Sequence, residues 1–391
     1  MITLLATAIV IGVIVFVHEL GHYLAARSVG VRVEKFSVGF PPRIFTMTSV
    51  PNGWDFKLYF FWKNDEGKFE WGPIIEKHIS KTGRKGSFTE YCFALVPLGG
   101  YVKMAGLIDE SLDEKIKHEP YELMSKPRLA QAWVMSAGVI MNILLAIAVY
   151  SGIIYKQGTP VVSPEPVVSQ ILEGQPAQLA GMKEGDKILA IDGEPIEAWS
   201  ELTEIIRAQP NTAIKLQYQR GEQIIEKDLV TGIQPALIDG KIDTLGAIGI
   251  VPQITYEPIS IFKAVMDGTQ ATFGIVELIR ITIRMLISRE ATMKDIGGPI
   301  FIAQMAGETA RAGLIPLLIL MAMISVNLAV INILPIPGLD GGHLLIIGIE
   351  SIIRRPLSVK TKVAIQKVGL FIILLLMVTV IVNDVGRLFT N

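Results

Sequence analysis

From Ile2 to Val17 the chain carries no charge and is almost wholly apolar, and the run then ends in His18, Glu19 and His22. Three later windows are comparably apolar, and each is long enough to cross a hydrocarbon core of about 30 Å. The pattern predicts four membrane helices, at residues 1–27, 129–155, 314–339 and 363–383. The last part of the third window contains Pro335 and Pro337, which cannot continue a hydrogen-bonded helix. Gly338, Gly341 and Gly342 then predict an unwound course around Asp340, followed by a cytoplasmic loop over 340–362.

Between the first two helices the periodicity changes. Residues 31–38, 54–62, 87–98 and 100–104 are rich in β-branched and aromatic residues, with glycine and proline between them. They predict an antiparallel, membrane-associated sheet within 28–128. Its first strand should stop at Gly39, Pro41 and Pro42, and the charged stretch 63–86 should form a solvated loop or hairpin insert. Residues 158–254 read as a separate soluble module. "PAQLAG" predicts a short helix, "KILAID" a strand, Asp192-Gly193 a hairpin turn, and "WSELTEIIRAQ" an amphipathic helix with Leu202, Ile205 and Ile206 on one face. A second hairpin turns at Gly221. This order of elements, and "AGMKEGDKILAIDG" in particular, resembles a PDZ domain.

Residues 258–312 are less hydrophobic. Ile275, Leu278, Ile279 and Ile283 share one side of a helix that carries Glu277, Arg280 and Arg284 elsewhere. That predicts amphipathic helices lying on the membrane surface, with a fifth span as the alternative. The expected fold is a polytopic α-helical membrane protein with four transmembrane helices, a membrane-associated β-sheet and an inserted PDZ domain.

Composition agrees. Half of the 391 residues are hydrophobic and the net charge is −1, with no concentrated basic face to suit nucleic acid. Cys92 is the only cysteine, which excludes an intrachain disulfide and a cysteine-rich zinc site. The first helix lacks a basic leader and a small-x-small cleavage site, so it is expected to be retained. Arg27, Arg32, Lys35 and Arg43 follow that helix, Lys126 and Arg128 precede the second, and Arg354, Arg355, Lys360 and Lys362 separate the last two. By the positive-inside rule, 28–128 and 340–362 face the cytoplasm, while both termini and the module face outward.

Ionisable groups at membrane depth are costly and mark functional sites. His18 and His22 lie four apart and share a helix face, so two imidazoles can hold one Zn²⁺ while Glu19 beside them takes a proton from water. A catalytic zinc needs a third protein ligand. The remaining histidines are His78, His118 and His343. Asp340, in the broken stretch near the same membrane face, is the leading candidate, and His343 is the alternative. Two other readings of the same features stay open: a metal-free membrane scaffold that binds partners through its module, and a zinc-dependent transporter.

"HELGH" at the end of the first helix, an inserted PDZ-like module and "NILPIPGLDGGH" at 332–343 together resemble the site-2 protease family of intramembrane zinc metalloproteases, in particular its bacterial sigma-E regulator branch. "LVPLGGYVKMAG", "GGPIFIAQMAGETA" and "ISVNLAVINILP" extend the resemblance over nearly the whole chain. The resemblance implies one Zn²⁺ per chain held by His18, His22 and Asp340, with Glu19 as the catalytic base. It implies Asn332 as a residue that holds the substrate strand, and Asn142 as a second polar, substrate-binding position. It also implies single-span membrane protein substrates, such as an anti-sigma factor, cut in the lipid bilayer of a bacterial inner membrane after an upstream protease has trimmed them. The chain departs from that pattern in having room for one PDZ module, in "GFPP" at 39–42, in "AGV" at 137–139 and in a long insert at 48–86. None of these touches the expected ligands.

Overall fold

A computed structural model of the chain describes residues 2–63, 69–83, 85–107, 117–238, 241–288 and 297–390. Contacts divide it into two units, residues 1–153 with 261–391, and residues 154–260.

The first unit opens with α1 (Ile2–Ser28), which carries His18, His22, Ala25 and Ala26 on its buried side. The chain then turns into β1 (Val33–Val50), β2 (Gly53–Lys63), β3 (Phe69–Ser80) and β4 (Glu90–Met104), in sheet order β3-β2-β1-β4. The stop expected at 39–42 is a bend instead. Gly39 has φ +88°, and β1 pairs onward through Arg43 to Thr48. Both β1 and β4 consequently run in two legs. Residues 90–93 pair with 35–38 and also with 45–48, while 100–104 pair with 33–38. No other described strand pairs with 100–104, so this leg is an edge. Part of 63–86 is β3, paired with β2 from Gly53↔Ser80 to Lys63↔Phe69 with one register shift between Leu58 and Tyr59, while residues 64–68 lie outside the described residues.

The sheet has two unlike faces. Directly opposed residues share a face. One row reads Phe93, Phe45, Leu58, Ile75, and the next Tyr91, Met47, Phe56, with Lys77 at its outer end. The alternate face carries the Lys57–Glu76 pair at 3.0 Å and the Asp55–His78 pair at 2.7 Å. Phe93 and Ile75 on the apolar face are exposed. A Cβ on Gly12 would lie 3.1 Å from the carbonyl of Pro97, so the bend of β4 reaches the apolar middle of α1. Cys92 is buried in the sheet, and burial pushes its thiol pKa up, as suits an inert packing residue. From the sheet the chain enters α2 (Arg128–Gln157).

The second unit contains β5 (Thr159–Val162), β6 (Val168–Ile171), α3 (Pro176–Leu179), β7 (Lys187–Ile191), β8 (Glu194–Pro195), α4 (Trp199–Arg207), β9 (Ala213–Arg220), β10 (Gln223–Val230), β11 (Gly232–Ile238), β12 (Lys241–Ala247), β13 (Ile250–Pro252) and β14 (Ile254–Glu257). The helices and hairpins appear where the sequence predicts them. Leu202 and Ile206 of α4 pack with Ile188, Leu216 and Tyr218, so the amphipathic face is the core face. Asp186, fully buried, accepts two hydrogen bonds of 2.8 Å from Arg220. β5 pairs with β14, which brings the two ends of the unit together.

The chain returns through α5 (Ile261–Ile287), α6 (Pro299–Ala312), α7 (Leu314–Ile333), α8 (Asp340–Ile353) and α9 (Val359–Thr390). Four helices, α1, α2, α7 and α9, are long and apolar enough to cross a membrane. The helices of the region expected on the membrane surface pack against other helices of this unit. Ala264, Gly268 and Thr272 are buried along one stripe of α5, and a Cβ on Gly268 would lie 2.3 Å from Ser151 Oγ of α2. Ile275, Val276 and Ile279 continue into a cluster with Ala146, Ala322 and Val326. Small residues at every fourth position let helix backbones approach closely, a packing mode of membrane helices. α6 packs on α1 and α7 through Ala306, Ala6 and Leu320, and Asp384 of α9 accepts hydrogen bonds from the Gly298, Ile300 and Phe301 amides at its start.

The loop expected over 340–362 is mostly helix, α8. Gly341 and Gly342 serve close packing rather than unwinding: a Cβ on them would lie 2.1 and 2.4 Å from the carbonyls of Leu334 and Ile336, respectively. Glu350, buried near the far end of α8, pairs with Arg128 of α2 and with Lys362 of α9, the latter at 2.8 Å.

Candidate metal centre

α1 and α8 bring three donors together. His18 Nε2 and His22 Nε2 are 3.2 Å apart, and Asp340 Oδ2 lies 3.2 Å from the first and 3.3 Å from the second. The helical repeat accounts for the two histidines, which point from successive turns. Asp340 arrives because α7 ends at Ile333, the prolines redirect the chain, and α8 begins at Asp340 itself. Both imidazoles are buried, and Asp340 Oδ2 is a buried oxygen with no hydrogen-bond partner.

The triangle fits zinc. Bonds of about 2.0–2.1 Å in a tetrahedral site put ligand atoms about 3.3 Å apart, which is the spacing of these three. Among the described residues it is the one His/Cys/Asp/Glu group close enough to hold a metal ion. His343, the alternative ligand, lines the same cavity but stands outside that group, 3.0 Å from Gln366 of α9.

α2 supplies the surroundings. His22 Nδ1 donates to the carbonyl of Val134 at 2.8 Å, which leaves Nε2 with its lone pair free for a metal. One turn on, a Cβ at Gly138 would lie 2.5 Å from His22 Nε2 and 2.6 Å from His18 Cε1. Another turn on, Asn142 Nδ2 lies 3.3 Å from His18 Nδ1. Residues 134, 138 and 142 thus form one stripe against both histidines. Sequence reasoning missed Val134 and Gly138. The four-residue spacing was visible, but a carbonyl and a missing side chain carry no chemical signature. Asn142, expected to meet substrate, is instead fully buried behind His18, because the packing of α2 against α1 closes it off.

Glu19 and Asn332 line the cavity with the three donors, as do Tyr101 and Met104 of the edge leg of β4. Asn332 Nδ2 is 3.3 Å from His18 Nε2. A carboxylate, an amide, the outermost leg of the sheet and a metal-sized donor triangle therefore face one space, with Leu370 and Ile373 of α9 forming part of its wall.

A protein of Clostridium perfringens strain 13, provisionally named a zinc metalloprotease, is 30% identical over 373 residues, 95% of either chain. The regulator of sigma-E protease RseP of Salmonella typhimurium is 26% identical over 486 aligned positions, 98% of either chain. Among solved structures, the PDZ domain of an SdrC-like protein from Listeria monocytogenes aligns with 24% of this chain and 90% of its own, at 22% identity and a TM-score of 0.19. The sequence model of peptidase family M50 matches residues 6–67 and 72–376, and with the donor triangle at the end of a membrane-length helix this places the chain in that family: it is a zinc metalloprotease of peptidase family M50.

Proposed function

We propose that the chain hydrolyses peptide bonds within or beside the transmembrane segment of single-span membrane proteins, with His18, His22 and Asp340 as its zinc ligands and Glu19 as the general base. The observation that carries this reading is the 3.2–3.3 Å donor triangle sharing a cavity with Glu19. When bound, zinc supplies Lewis acidity that polarises the scissile carbonyl and acidifies water. Glu19 takes the proton of the attacking water as its oxygen bonds to the carbonyl carbon. The same carboxyl returns that proton to the amide nitrogen as the C–N bond breaks.

A substrate helix has its carbonyls paired, so the segment to be cut must be extended first. Residues 100–104 are the outermost leg of the sheet beside the cavity, a position suited to β-strand addition, and Asn332 offers an amide to hold the added strand. The apolar sheet row of Phe93, Phe45, Leu58 and Ile75 suits seating in lipid next to the apolar length of α1. The basic residues flanking the helices favour a cleavage site on the cytoplasmic side of a bacterial inner membrane, with the termini and residues 158–254, read as a PDZ domain, outside. That arrangement suits a second cut, after another protease has trimmed the outer domain, as for an anti-sigma factor.

Glu19→Gln tests the reading. Zinc and fold should be kept, while cleavage disappears and single-span proteins accumulate as trimmed stubs in cell membranes. A general base supplies about 10²–10⁴-fold, so residual cleavage above roughly a tenth of the intact rate is incompatible with this role for Glu19.

A further inference from the structure

We infer that Asn142 is a positioning residue whose side-chain oxygen accepts the Nδ1 proton of His18, fixing the tautomer that presents Nε2 to the metal. The inference rests on the ligand set proposed above. A histidine that ligates through Nε2 carries its proton on Nδ1, and metal-binding histidines pair that proton with a carbonyl, carboxylate or water. His22 does so through the Val134 carbonyl. His18 meets a side-chain amide instead.

The two ends of that amide are not equivalent for this purpose. Asn142 Nδ2 stands 3.3 Å from His18 Nδ1, and Oδ1, fully buried, has no hydrogen-bond partner. With a proton on Nδ1, an amide nitrogen there would set two donors head to head. Half a turn about the last side-chain torsion puts the oxygen in its place and makes a hydrogen bond. Burial excludes solvent as a substitute partner, since Asn142 has no accessible surface. The residue is itself anchored: Ser325 Oγ of α7 donates to its backbone carbonyl at 2.9 Å. That bond does not depend on the side chain, so the α2–α7 crossing persists when the amide is changed.

The experiment compares zinc affinity, by chelator competition on purified protein in detergent, for the intact chain, Asn142→Leu, Asn142→Ala and Asn142→Asp. Leu and Ala both remove the acceptor, Ala without added bulk, and each should weaken zinc about 10–100-fold, the usual loss when an outer partner of a ligand is removed. Asp keeps an oxygen in place and should hold zinc within a few-fold of the intact protein. The visible spectrum of the cobalt-loaded protein should change with Leu and Ala and stay with Asp. Affinity unchanged in a folded Leu or Ala variant would overturn the inference. So would an Asp variant as weak as those two, because the nitrogen would then be the end that matters. Zinc that survives His18→Ala would instead overturn the ligand set, and this inference with it.

Discussion

A methyl group added to Gly138 would lie 2.5 Å from His22 Nε2. The same group would sit 2.6 Å from His18 Cε1, and real Cβ contacts are longer than either distance. The helical hydrogen bonds of α2 fix its own course at this point, so the clash is relieved by moving the imidazoles or by separating α2 from α1, and either disturbs the donor triangle. Gly138→Ala should therefore fold, since alanine favours a helix over glycine by about 1 kcal/mol, yet bind zinc at least tenfold more weakly. Zinc content after gel filtration, set beside the thermal midpoint, checks both halves. Full zinc occupancy would show that the α1–α2 contact is looser than these distances imply.

Asp340 and His343 lie three residues apart at the start of α8 and line one cavity, so they compete for the role of third ligand. Asp340 Oδ2 is within 3.3 Å of both histidines, while His343 is engaged with Gln366. Asp340→Asn should lose most of its zinc, a neutral amide being a poorer ligand than a carboxylate. His343→Ala should keep it. Metal analysis giving the reverse order would move the site one turn along α8.

The candidate ligands were legible because two histidines at helical spacing with a glutamate between them form a chemical pattern, and because an aspartate between prolines and glycines is conspicuous after an apolar helix. The membrane-length helices were legible from length and hydropathy. What escaped reading has physical causes. α8 was hidden because Gly341 and Gly342 look like helix breakers, although here they let the helix touch the carbonyls of Leu334 and Ile336. The packing face of α5 is not legible in the sequence because Ala264, Gly268 and Thr272 contribute little hydropathy, while Ile275, Leu278 and Ile279 dominate the apolar stripe. For 63–86 the structure selects the hairpin over the solvated loop, and the sequence leaves the two open because Glu76 and His78 break the apolar run until they are set opposite Lys57 and Asp55. The role of α2 was hidden because it acts through a carbonyl, a glycine and a buried amide.

The two faces of the β2–β3 hairpin predict different surroundings for adjacent residues. Ile75 lies opposite Leu58 in the apolar row, and Glu76 pairs with Lys57 on the other face. Single cysteines at these positions in a Cys92→Ala background, labelled with a fluorophore in lipid nanodiscs, should part company. The Ile75→Cys label should be quenched by lipids carrying a spin label on their chains, and the Glu76→Cys label by a water-soluble quencher. Equal response of both positions to the aqueous quencher would mean that the apolar row is covered by something other than lipid, and crosslinking from Ile75→Cys would then identify it.

Removing residues 159–257 should leave peptide-bond hydrolysis intact while changing which proteins are cut. The ends of this unit are already adjacent, since Thr159 pairs with Glu257, and opposed residues in an antiparallel pair have Cα atoms about 5 Å apart. A few glycines joining Gly158 to Pro258 therefore span the gap without pulling on α2 or α5. The unit folds around its own core of Ile188, Leu202, Leu216 and Tyr218, and every described residue that lines the metal cavity lies outside it. The shortened protein should thus bind zinc as the intact one does and cleave a short peptide helix in detergent at a rate within a few-fold. If this unit screens outer domains, as the proposed order of cuts requires, the shortened protein should in cells also cut an untrimmed single-span substrate that the intact protein spares. Immunoblots for substrate length, with and without the upstream trimming protease, measure the second effect. A shortened protein that is folded and zinc-loaded but cuts nothing would assign the unit a direct part in shaping the active site.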